Sequence, residues 1–308
     1  MSIGAKLIYG VLYLLSLFPM KILYLFSDGL FLLVYKLAHY RQKVVKRNLK
    51  ESFPDKDEKE LRDIEHKFYR WFCDYIVETI KFISISKSEL AKRMRFERMD
   101  IINDSFANGK TCSLYLGHYC NWEWSVSLPL YTKGGFCAQI YHPIENQAFD
   151  QVMCKVRNRF GSKNIEMDKS FRTIVSWKRT GQINLVGYIA DQVPGLHNVH
   201  CWVDFLHHDT PVFTGAERIA VLTDSVVLYA NITRPKRGYY VCKFEKIELP
   251  PNGYVKFYYT REYYKMLERS INSAPEFWLW SHNRWKRTRE DFNKLYTEEE
   301  RARRLSRI

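Results

Sequence analysis

Apolar runs and amphipathic segments alternate through the middle of the chain. Short apolar runs at 111–116, 137–141 and 183–189 are typical of buried strands. The intervening segments 121–131, 146–160 and 169–180 have helical spacing, and two further strand candidates lie at 225–232 and 239–247. Strands that alternate with helices predict an α/β fold with a mostly parallel mixed sheet flanked by helices.

Two apolar stretches precede this pattern, at 7–18 and 22–37, and Pro19 lies between them. Each is shorter than the ~20 residues that cross a bilayer, and no small-residue cleavage site follows. Together they suit one kinked span, two helices lying in the membrane interface, or a buried helical hairpin. We favour a membrane-associating segment over 1–40. The basic residues that follow favour the cytoplasmic face for the rest of the chain: Arg41, Lys43, Lys46, Arg47 and Lys50.

The remaining segments complete a three-part division of the chain. Residues 56–86 have the spacing of one or two amphipathic helices, and a basic, helix-prone bridge continues to about Met99. We predict a single α/β domain over 41–290. Residues 291–308 form a charged helical tail, which we interpret as a solvated face.

The charge and the cysteines narrow the classes of partner. A net charge of +14 favours anionic partners: an anionic membrane surface, an acidic carrier or a phosphorylated substrate. The basic residues are spread along the chain without a nucleic-acid-binding motif, so we predict no nucleic-acid partner. Seven dispersed cysteines argue against a disulfide framework, and the histidine spacing fits no standard zinc pattern: His197, His200, His207 and His208. We predict neither a metal nor a cofactor.

The candidate chemistry lies in the segment from Gly117 to Glu123, directly after the first of these strands. His118 and Glu123 are five positions apart, so a helix would direct them roughly 140° apart and a strand would separate them by ~17 Å. A turn followed by a helix near Asn121 brings them together at the carboxyl edge of the sheet. In open α/β sheets ligands bind at that edge.

Such a pair suits acyl transfer to an alcohol. A neutral imidazole takes the proton of a hydroxyl as the hydroxyl attacks a thioester carbonyl. Glu123 would accept the other ring N–H of His118 and fix its tautomer. A purely structural hydrogen-bonded pair explains the same spacing.

Gly117-His118-Tyr119-Cys120-Asn121-Trp122-Glu123 resembles the Gly-His-x-Gly-Asn-Trp-Glu signature of the bacterial lipid A late acyltransferases, the lauroyl and myristoyl transferases of the lysophospholipid acyltransferase superfamily. Later segments resemble further motifs of that family in the same order. They are residues 141–146 (Tyr-Arg-Pro-x-x-Asn), 157–161 (Arg-x-Arg-Phe-Gly), 190–192 (the Asp-Gln motif), 214–216 and 280–286. The resemblance covers nearly the whole chain and implies a glycerolipid acyltransferase-like fold.

The resemblance implies His118 as the general base and Glu123 as its partner. It also implies functional roles for Arg157 and Asp191, with Arg159 as a further candidate. We predict five substrate-binding residues: Arg157, Arg159, Asp191, Asn121 and Cys120. An arginine can hold a phosphate with two hydrogen bonds. Asp191 either orients an arginine or His118, or only caps its turn.

Two residues depart from the family pattern. Cys120 stands where the family has glycine, so either the turn accepts a side chain or the thiol lines the acyl groove. A thiolate beside an imidazole also permits a covalent acyl-cysteine, but the resemblance implies direct attack by the acceptor hydroxyl. His142 replaces an arginine and removes one fixed positive charge.

The expected function is transfer of a fatty acyl chain from acyl carrier protein or coenzyme A to a hydroxyl of a lipid A precursor or related glycolipid, at the cytoplasmic face of the inner membrane. One alternative is an acyltransferase for a lysophospholipid, an aminolipid or another lipid acceptor. Another is a non-catalytic lipid-binding protein on the same scaffold, since fold alone does not establish activity.

Overall fold

The computed structural model describes residues 1–306. Twelve α-helices are described over these residues: α1 (Ile3–Ser16), α2 (Met20–Phe31), α3 (Gln42–Ser52), α4 (Glu58–Lys81), α5 (Lys87–Arg93), α6 (Met99–Ala107), α7 (Gln147–Arg157), α8 (Met167–Arg179), α9 (Gly215–Thr223), α10 (Tyr258–Ser273), α11 (Arg289–Leu295) and α12 (Glu298–Leu305). A π-helical turn, Leu32–Leu37, extends α2, and 3₁₀ helices lie at Glu123–Leu130, Asn158–Phe160, Leu196–Asn198 and Pro275–Phe277.

The strands form one large sheet and one separate hairpin. They are β1 (Met94–Glu97), β2 (Cys112–Leu116), β3 (Phe136–Tyr141), β4 (Lys163–Glu166), β5 (Asn184–Ile189), β6 (Cys201–Phe205), β7 (His208–Val212), β8 (Val226–Lys236) and β9 (Tyr239–Lys246). Seven strands lie in the order β1-β9-β8-β2-β5-β3-β4, and all neighbours are parallel except β8 and β9. Strands β6 and β7 form the antiparallel hairpin.

The mostly parallel sheet flanked by helices is confirmed. The strands predicted at 111–116, 137–141, 183–189, 225–232 and 239–247 correspond to β2, β3, β5, β8 and β9. Four strands were not predicted: β1, β4, β6 and β7. Strands β1 and β4 have only four residues each and lie at the two edges of the sheet, where half-exposed positions leave no continuous apolar run.

The helix predicted over 121–131 is a 3₁₀ helix, Glu123–Leu130, rather than an α-helix. The hydroxyls of Ser125 and Ser127 donate to the carbonyls three residues earlier, at 2.5 and 2.7 Å. Pro129 lies within the segment and has no N–H for the helical ladder. Both features compete with α-helical hydrogen bonds, so the segment adopts the tighter turn.

The two faces of the central strand β2 have different neighbours. Tyr115 packs against Tyr263 of α10, with ring centroids 5.0 Å apart. Directly after the strand, a Cβ on Gly117 would lie 2.6 Å from the Cδ1 atom of Leu267 in α10. Leu114 and Leu116 instead face a cavity on the opposite side. Strand alternation therefore separates a tightly packed core face from an open face.

The N-terminal helices pack on the domain but expose much of their apolar surface. The axis of α1 lies at 111° to that of α2 with its π-helical extension. Within residues 1–306, no single helix is long and apolar enough to cross a bilayer. Only the two helices of this bent pair, taken together, have the length and composition of a span. Side chains four and three residues apart form an exposed stripe along α1: Ile3, Leu7, Val11 and Leu14. Leu25, Phe26, Leu32, Leu33 and Leu37 are exposed on α2 and its extension.

Buried polar groups on α4 hold α2 against the sheet. Asp74 accepts from Ser27 at 2.7 Å and pairs with Arg234 and Arg237 of the β8–β9 region, each at 2.6 Å. Glu78 accepts from the Tyr24 hydroxyl at 2.8 Å and from the Tyr240 hydroxyl at 2.7 Å. The first two helices are thus tied to the folded domain by hydrogen bonds as well as by apolar contacts.

The charged C-terminal segment is only partly a solvated face. Phe292 of α11 and Tyr296 are buried against Val199 and Trp202, beside the β6–β7 hairpin. Helix α12 begins with a capping box in which the Thr297 hydroxyl accepts from the Glu300 amide. The predicted tail also includes 307–308, which lie outside the described residues.

Gly117→Ala is expected to lower the thermal stability of the protein. Its methyl group would overlap Leu267, which is fully buried, and overpacking of a core typically costs about 1–3 kcal/mol. Gly29→Ala in α2 is the matched control, since its added Cβ meets no atom within 4 Å and alanine favours a helix by roughly 0.5–1 kcal/mol. Thermal denaturation followed by circular dichroism measures both; an unchanged melting temperature for Gly117→Ala would contradict the packing described here.

Candidate active site

His118 lies just beyond the carboxyl end of β2, in a segment held by backbone hydrogen bonds to residues 277–279. The Cys120 amide donates to the Phe277 carbonyl at 2.9 Å, and the Leu279 amide donates to the His118 carbonyl at 3.1 Å. These bonds fix the backbone on both sides of His118 against a segment far away in sequence. The imidazole then faces the open side of the sheet.

Asp191 contacts both the ring and the backbone of His118. Its Oδ1 atom lies 2.6 Å from His118 Nδ1, and its Oδ2 atom accepts from the His118 amide and from Trp278 Nε1, each at 2.8 Å. Burial alone would raise the pKa of Asp191, but the adjacent His118 and these donors lower it to about 2. The carboxylate is therefore ionised at neutral pH and accepts the Nδ1–H of His118. In the neutral form of the imidazole, this leaves Nε2 as the acceptor nitrogen.

The prediction that Glu123 accepts a hydrogen bond from the imidazole of His118 is wrong. Strands β2 and β5 are parallel neighbours in which Leu116 pairs with Ile189. His118 and Asp191 each follow that pair by two residues, so the register brings them to the same point of the sheet edge. From the sequence, Asp191 could orient an arginine, orient His118 or only cap its turn; in the structure it contacts His118.

Glu123 instead pairs with Arg157, the last residue of α7. Arg157 Nε donates to Glu123 Oε2 at 2.9 Å, and Nη2 donates to Oε1, a two-point contact. Burial would raise the pKa of Glu123, but the guanidinium lowers it, so this carboxylate is also ionised. Two carboxylates at the site thus have separate partners, one an imidazole and the other a guanidinium.

Both pairs border a cavity of about 660 Å³ between the open face of the sheet and the helices that cover it. His118, Glu123, Arg157 and Gln192 are polar residues of its wall. Apolar residues of β2, β3 and β5, the 3₁₀ helix Glu123–Leu130, α8 and α9 form much of the rest, including Leu114, Leu116, Leu128, Ala138, Phe171, Leu185 and Ile219. The volume falls in the range of small-molecule sites, and the mainly apolar lining suits a hydrocarbon.

Three residues predicted to bind substrate do not line this cavity. Arg159 is exposed, and its Nη1 donates to the Phe82 carbonyl at the end of α4, at 2.9 Å. Asn121 is buried, donates to Glu78 Oε2 at 2.7 Å and accepts from the Trp124 amide at 3.1 Å. Cys120 is fully buried with φ +52°, and burial raises its pKa well above the usual value. Of the two alternatives, the turn accepts the side chain, and the thiol does not line the cavity.

Three residues at the site were not assigned from the sequence. Trp278 donates to Asp191 as described above. The Gln192 side-chain nitrogen lies 3.3 Å from His118 Nε2, and His282 Nε2 accepts from the Val193 amide at 3.4 Å. Burial lowers the pKa of His282 to about 4, so this second imidazole is neutral. Gln192 and His282 lie within segments already quoted as family motifs, and Trp278 lies two residues before one of them.

Three of the four histidines that are close in the sequence have different partners. His197 contacts the Tyr296 hydroxyl, His200 contacts the Arg304 carbonyl, and His208 stacks on Trp285 with ring centroids 3.9 Å apart. Among residues 1–306, no group of three or more His, Cys, Asp or Glu side chains has a metal-binding arrangement.

Glu123→Gln is expected to destabilise the protein by about 3–5 kcal/mol, because it leaves the largely buried Arg157 without its counter-charge. Glu290→Gln is the matched control: it breaks the exposed pair with Lys294, and such pairs contribute roughly 0–1 kcal/mol. Urea denaturation measures both, and the double variant Glu123→Gln/Arg157→Met should recover part of the loss. Equal effects of the two single variants would refute a buried, coupled Glu123–Arg157 pair.

Comparison with known proteins identifies the family of the chain. The model of the bacterial lipid A biosynthesis acyltransferase family matches residues 2–287. A lipid A biosynthesis acyltransferase of Haemophilus influenzae is 24% identical over 255 residues, which cover 81% of this chain and 76% of that protein. The family resemblance drawn from the sequence motifs is confirmed. The chain belongs to the bacterial lipid A biosynthesis acyltransferases.

Proposed function

We propose that this acyltransferase moves a fatty acyl chain from an acyl thioester to a hydroxyl of a lipid A precursor or related glycolipid, with His118 as the general base. The observation that carries the proposal is the His118–Asp191 pair at the wall of an apolar cavity. A base that acts on a hydroxyl and a pocket that fits a hydrocarbon are the two requirements of fatty acyl transfer, and here they adjoin.

The proton path follows from the hydrogen bonds of the imidazole. Asp191 holds Nδ1–H, so Nε2 accepts the proton of the acceptor hydroxyl as its oxygen attacks the thioester carbonyl. The imidazolium then faces the ionised Asp191 carboxylate. When the tetrahedral intermediate collapses, the carbon–sulfur bond breaks and the imidazolium returns the proton to the leaving thiolate. Asp191 stays ionised throughout, as the acid of a serine triad does.

Glu123 and Arg157 have a different role in this proposal. Glu123 holds the guanidinium through Nε and Nη2, which leaves Nη1 outside the two-point contact at the cavity wall. An arginine fixed in this way can bind a phosphate of the acceptor or of the donor's pantetheine arm. Glu123 is therefore a positioning residue for Arg157, and its substitution should impair substrate binding more than the proton transfer.

The donor is proposed to be acyl carrier protein or acyl coenzyme A. Both present an acyl thioester on a phosphopantetheine arm, and both are acidic. The net charge of +14 favours encounter with either, and equally with a phosphorylated lipid. No bound cofactor is required, because the thioester supplies the activated acyl group.

We also propose that α1 and α2 lie in the interface of the inner membrane, with the site on the cytoplasmic side. The exposed stripe of Ile3, Leu7, Val11 and Leu14 supports this, since contiguous apolar surface on a helix is typical of interfacial binding. Arg41, Lys43, Lys46, Arg47 and Lys50 are exposed or half-exposed directly after these helices and can contact anionic headgroups. Hydrogen bonds from α2 to α4 would keep the domain close to that surface.

His118→Ala is expected to reduce acyl transfer by roughly 10²–10⁴-fold, the usual contribution of a general base. Asp191→Asn should also reduce kcat strongly, because an amide does not stabilise the imidazolium and can hold the wrong tautomer. The assay is transfer of a labelled acyl chain from acyl carrier protein or coenzyme A to a purified lipid A precursor.

The control for this experiment is Cys120→Gly, which restores the residue of the family motif at a left-handed position and should preserve turnover. Circular dichroism of each variant separates lost chemistry from lost fold. Near-normal turnover by folded His118→Ala protein would show that the mechanism proposed here is wrong.

Replacing the α1 stripe with polar residues is expected to weaken membrane binding without unfolding the domain. The variant is Leu7→Gln/Val11→Asn/Leu14→Gln, at side chains that are all more than half exposed. Leu249→Gln/Val255→Gln is the matched control, since these exposed apolar residues lie outside the N-terminal helices. Sedimentation with anionic vesicles measures binding, and the remaining affinity should fall with salt. Equal binding by the stripe variant and the control would exclude α1 as the anchor.

A further inference from the structure

Gly187 lies in the middle of β5, on the face that borders the cavity. Its neighbours on that face, Leu185 and Ile189, both present aliphatic side chains to the cavity, and Leu114 pairs with Gly187 across the β2–β5 ladder. Glycine weakens the interior of a strand, so its presence between two large aliphatic residues requires a reason.

Neither backbone conformation nor close packing explains this glycine. Gly187 does not have a φ in the left-handed region, and an added Cβ would lie 3.5 Å from Leu116 Cδ1 and 3.7 Å from the Ala138 carbonyl oxygen, both ordinary contact distances. Gly117 is the contrast, because its Cβ would lie 2.6 Å from Leu267 Cδ1. At Gly187 the missing side chain therefore leaves space in the cavity rather than relieving a clash.

The register places Gly187 further toward the amino ends of the strands than His118 and Asp191. Its partner Leu114 precedes His118 by four residues, which corresponds to roughly 13 Å along a strand. Leu185, Cys137 and Ser162 line the cavity further toward the amino ends of the strands. Consider an acyl chain that has its carbonyl at His118 and its tail directed toward the amino ends of the strands. The distal methylenes of that chain would pass Gly187.

We propose that Gly187 determines the longest acyl chain this enzyme accepts, because the absence of a side chain keeps the deep part of the cavity open to the end of the hydrocarbon. This inference rests on the proposed function, since it takes the cavity as the acyl site. It makes Gly187 a specificity-determining residue that acts by volume alone and has no part in proton transfer.

Gly187→Leu is expected to shift the donor preference toward shorter chains. For donors whose tail would reach the new side chain, kcat/KM should fall by roughly tenfold or more for each methylene that no longer fits, while shorter donors keep near wild-type values. Gly187→Ala should give a smaller shift in the same direction. Octanoyl, decanoyl, dodecanoyl, tetradecanoyl and hexadecanoyl thioesters of acyl carrier protein and of coenzyme A are the probes.

Val186→Ile is the matched control, because Val186 adjoins Gly187 in β5 but points to the opposite face of the sheet. It should leave the order of donor preference unchanged. An unchanged preference in folded Gly187→Leu protein, or an equal loss for donors of every length, would overturn the inference. If Gly187→Leu does not fold, Gly187→Ala carries the same test.

Equilibrium binding of free fatty acids of the same lengths separates this inference from the proposed function. A length-dependent loss of affinity in the Gly187 variants supports the inference even when wild-type protein transfers no acyl group, in which case the proposed function fails alone. Active wild-type enzyme whose Gly187 variants bind and transfer every length as before would leave the function intact and exclude the role of Gly187.

Discussion

The site depends on the hydrogen bonds that the buried carboxylate of Asp191 accepts. This carboxylate accepts from the His118 ring, from the His118 amide and from the Trp278 indole, so three donors from two distant segments meet at one buried negative charge. Loss of that charge leaves three donors unsatisfied at once, and unpaired buried polar groups are costly. The same contacts that orient the His118 imidazole therefore also hold the end of β2 against β5 and against the segment after α10.

The two charged pairs of the site differ in the group that faces the carboxylate. His118 and Asp191 join a carboxylate to an imidazole, a group that can gain and lose a proton, whereas Glu123 and Arg157 join a carboxylate to a guanidinium, which does not lose its proton in proteins. A motif that contains both His118 and Glu123 thus contributes one residue to each pair. This division explains how residues five positions apart line the same cavity while each pairs with a different residue.

The sequence predicts the fold better than it predicts the partners within the site. The apolar runs of β2, β3, β5, β8 and β9 identify the buried strands, because burial on both faces demands continuous hydrophobicity. The motifs identify His118, Glu123, Arg157 and Asp191 as a set. The pairing among them depends on the β2–β5 register, which no local pattern encodes, and on the tight 3₁₀ turn that directs Glu123 toward α7. The motifs also include residues that do not line the cavity: Arg159, Asn121 and Cys120. Motif residues next to a site also serve as caps, hydrogen-bond links and turn residues.

The backbone contact between His118–Cys120 and residues 277–279 sets the order in which the site can be completed. These segments are separated by more than half of the chain, and the final donor to Asp191 comes from the later one. During synthesis the earlier strands are made long before Trp278 exists, and contacts between distant segments form late in folding. A nascent chain therefore has its apolar cavity walls before it has an oriented His118 imidazole, and a product truncated before residue 277 lacks the arrangement that positions His118.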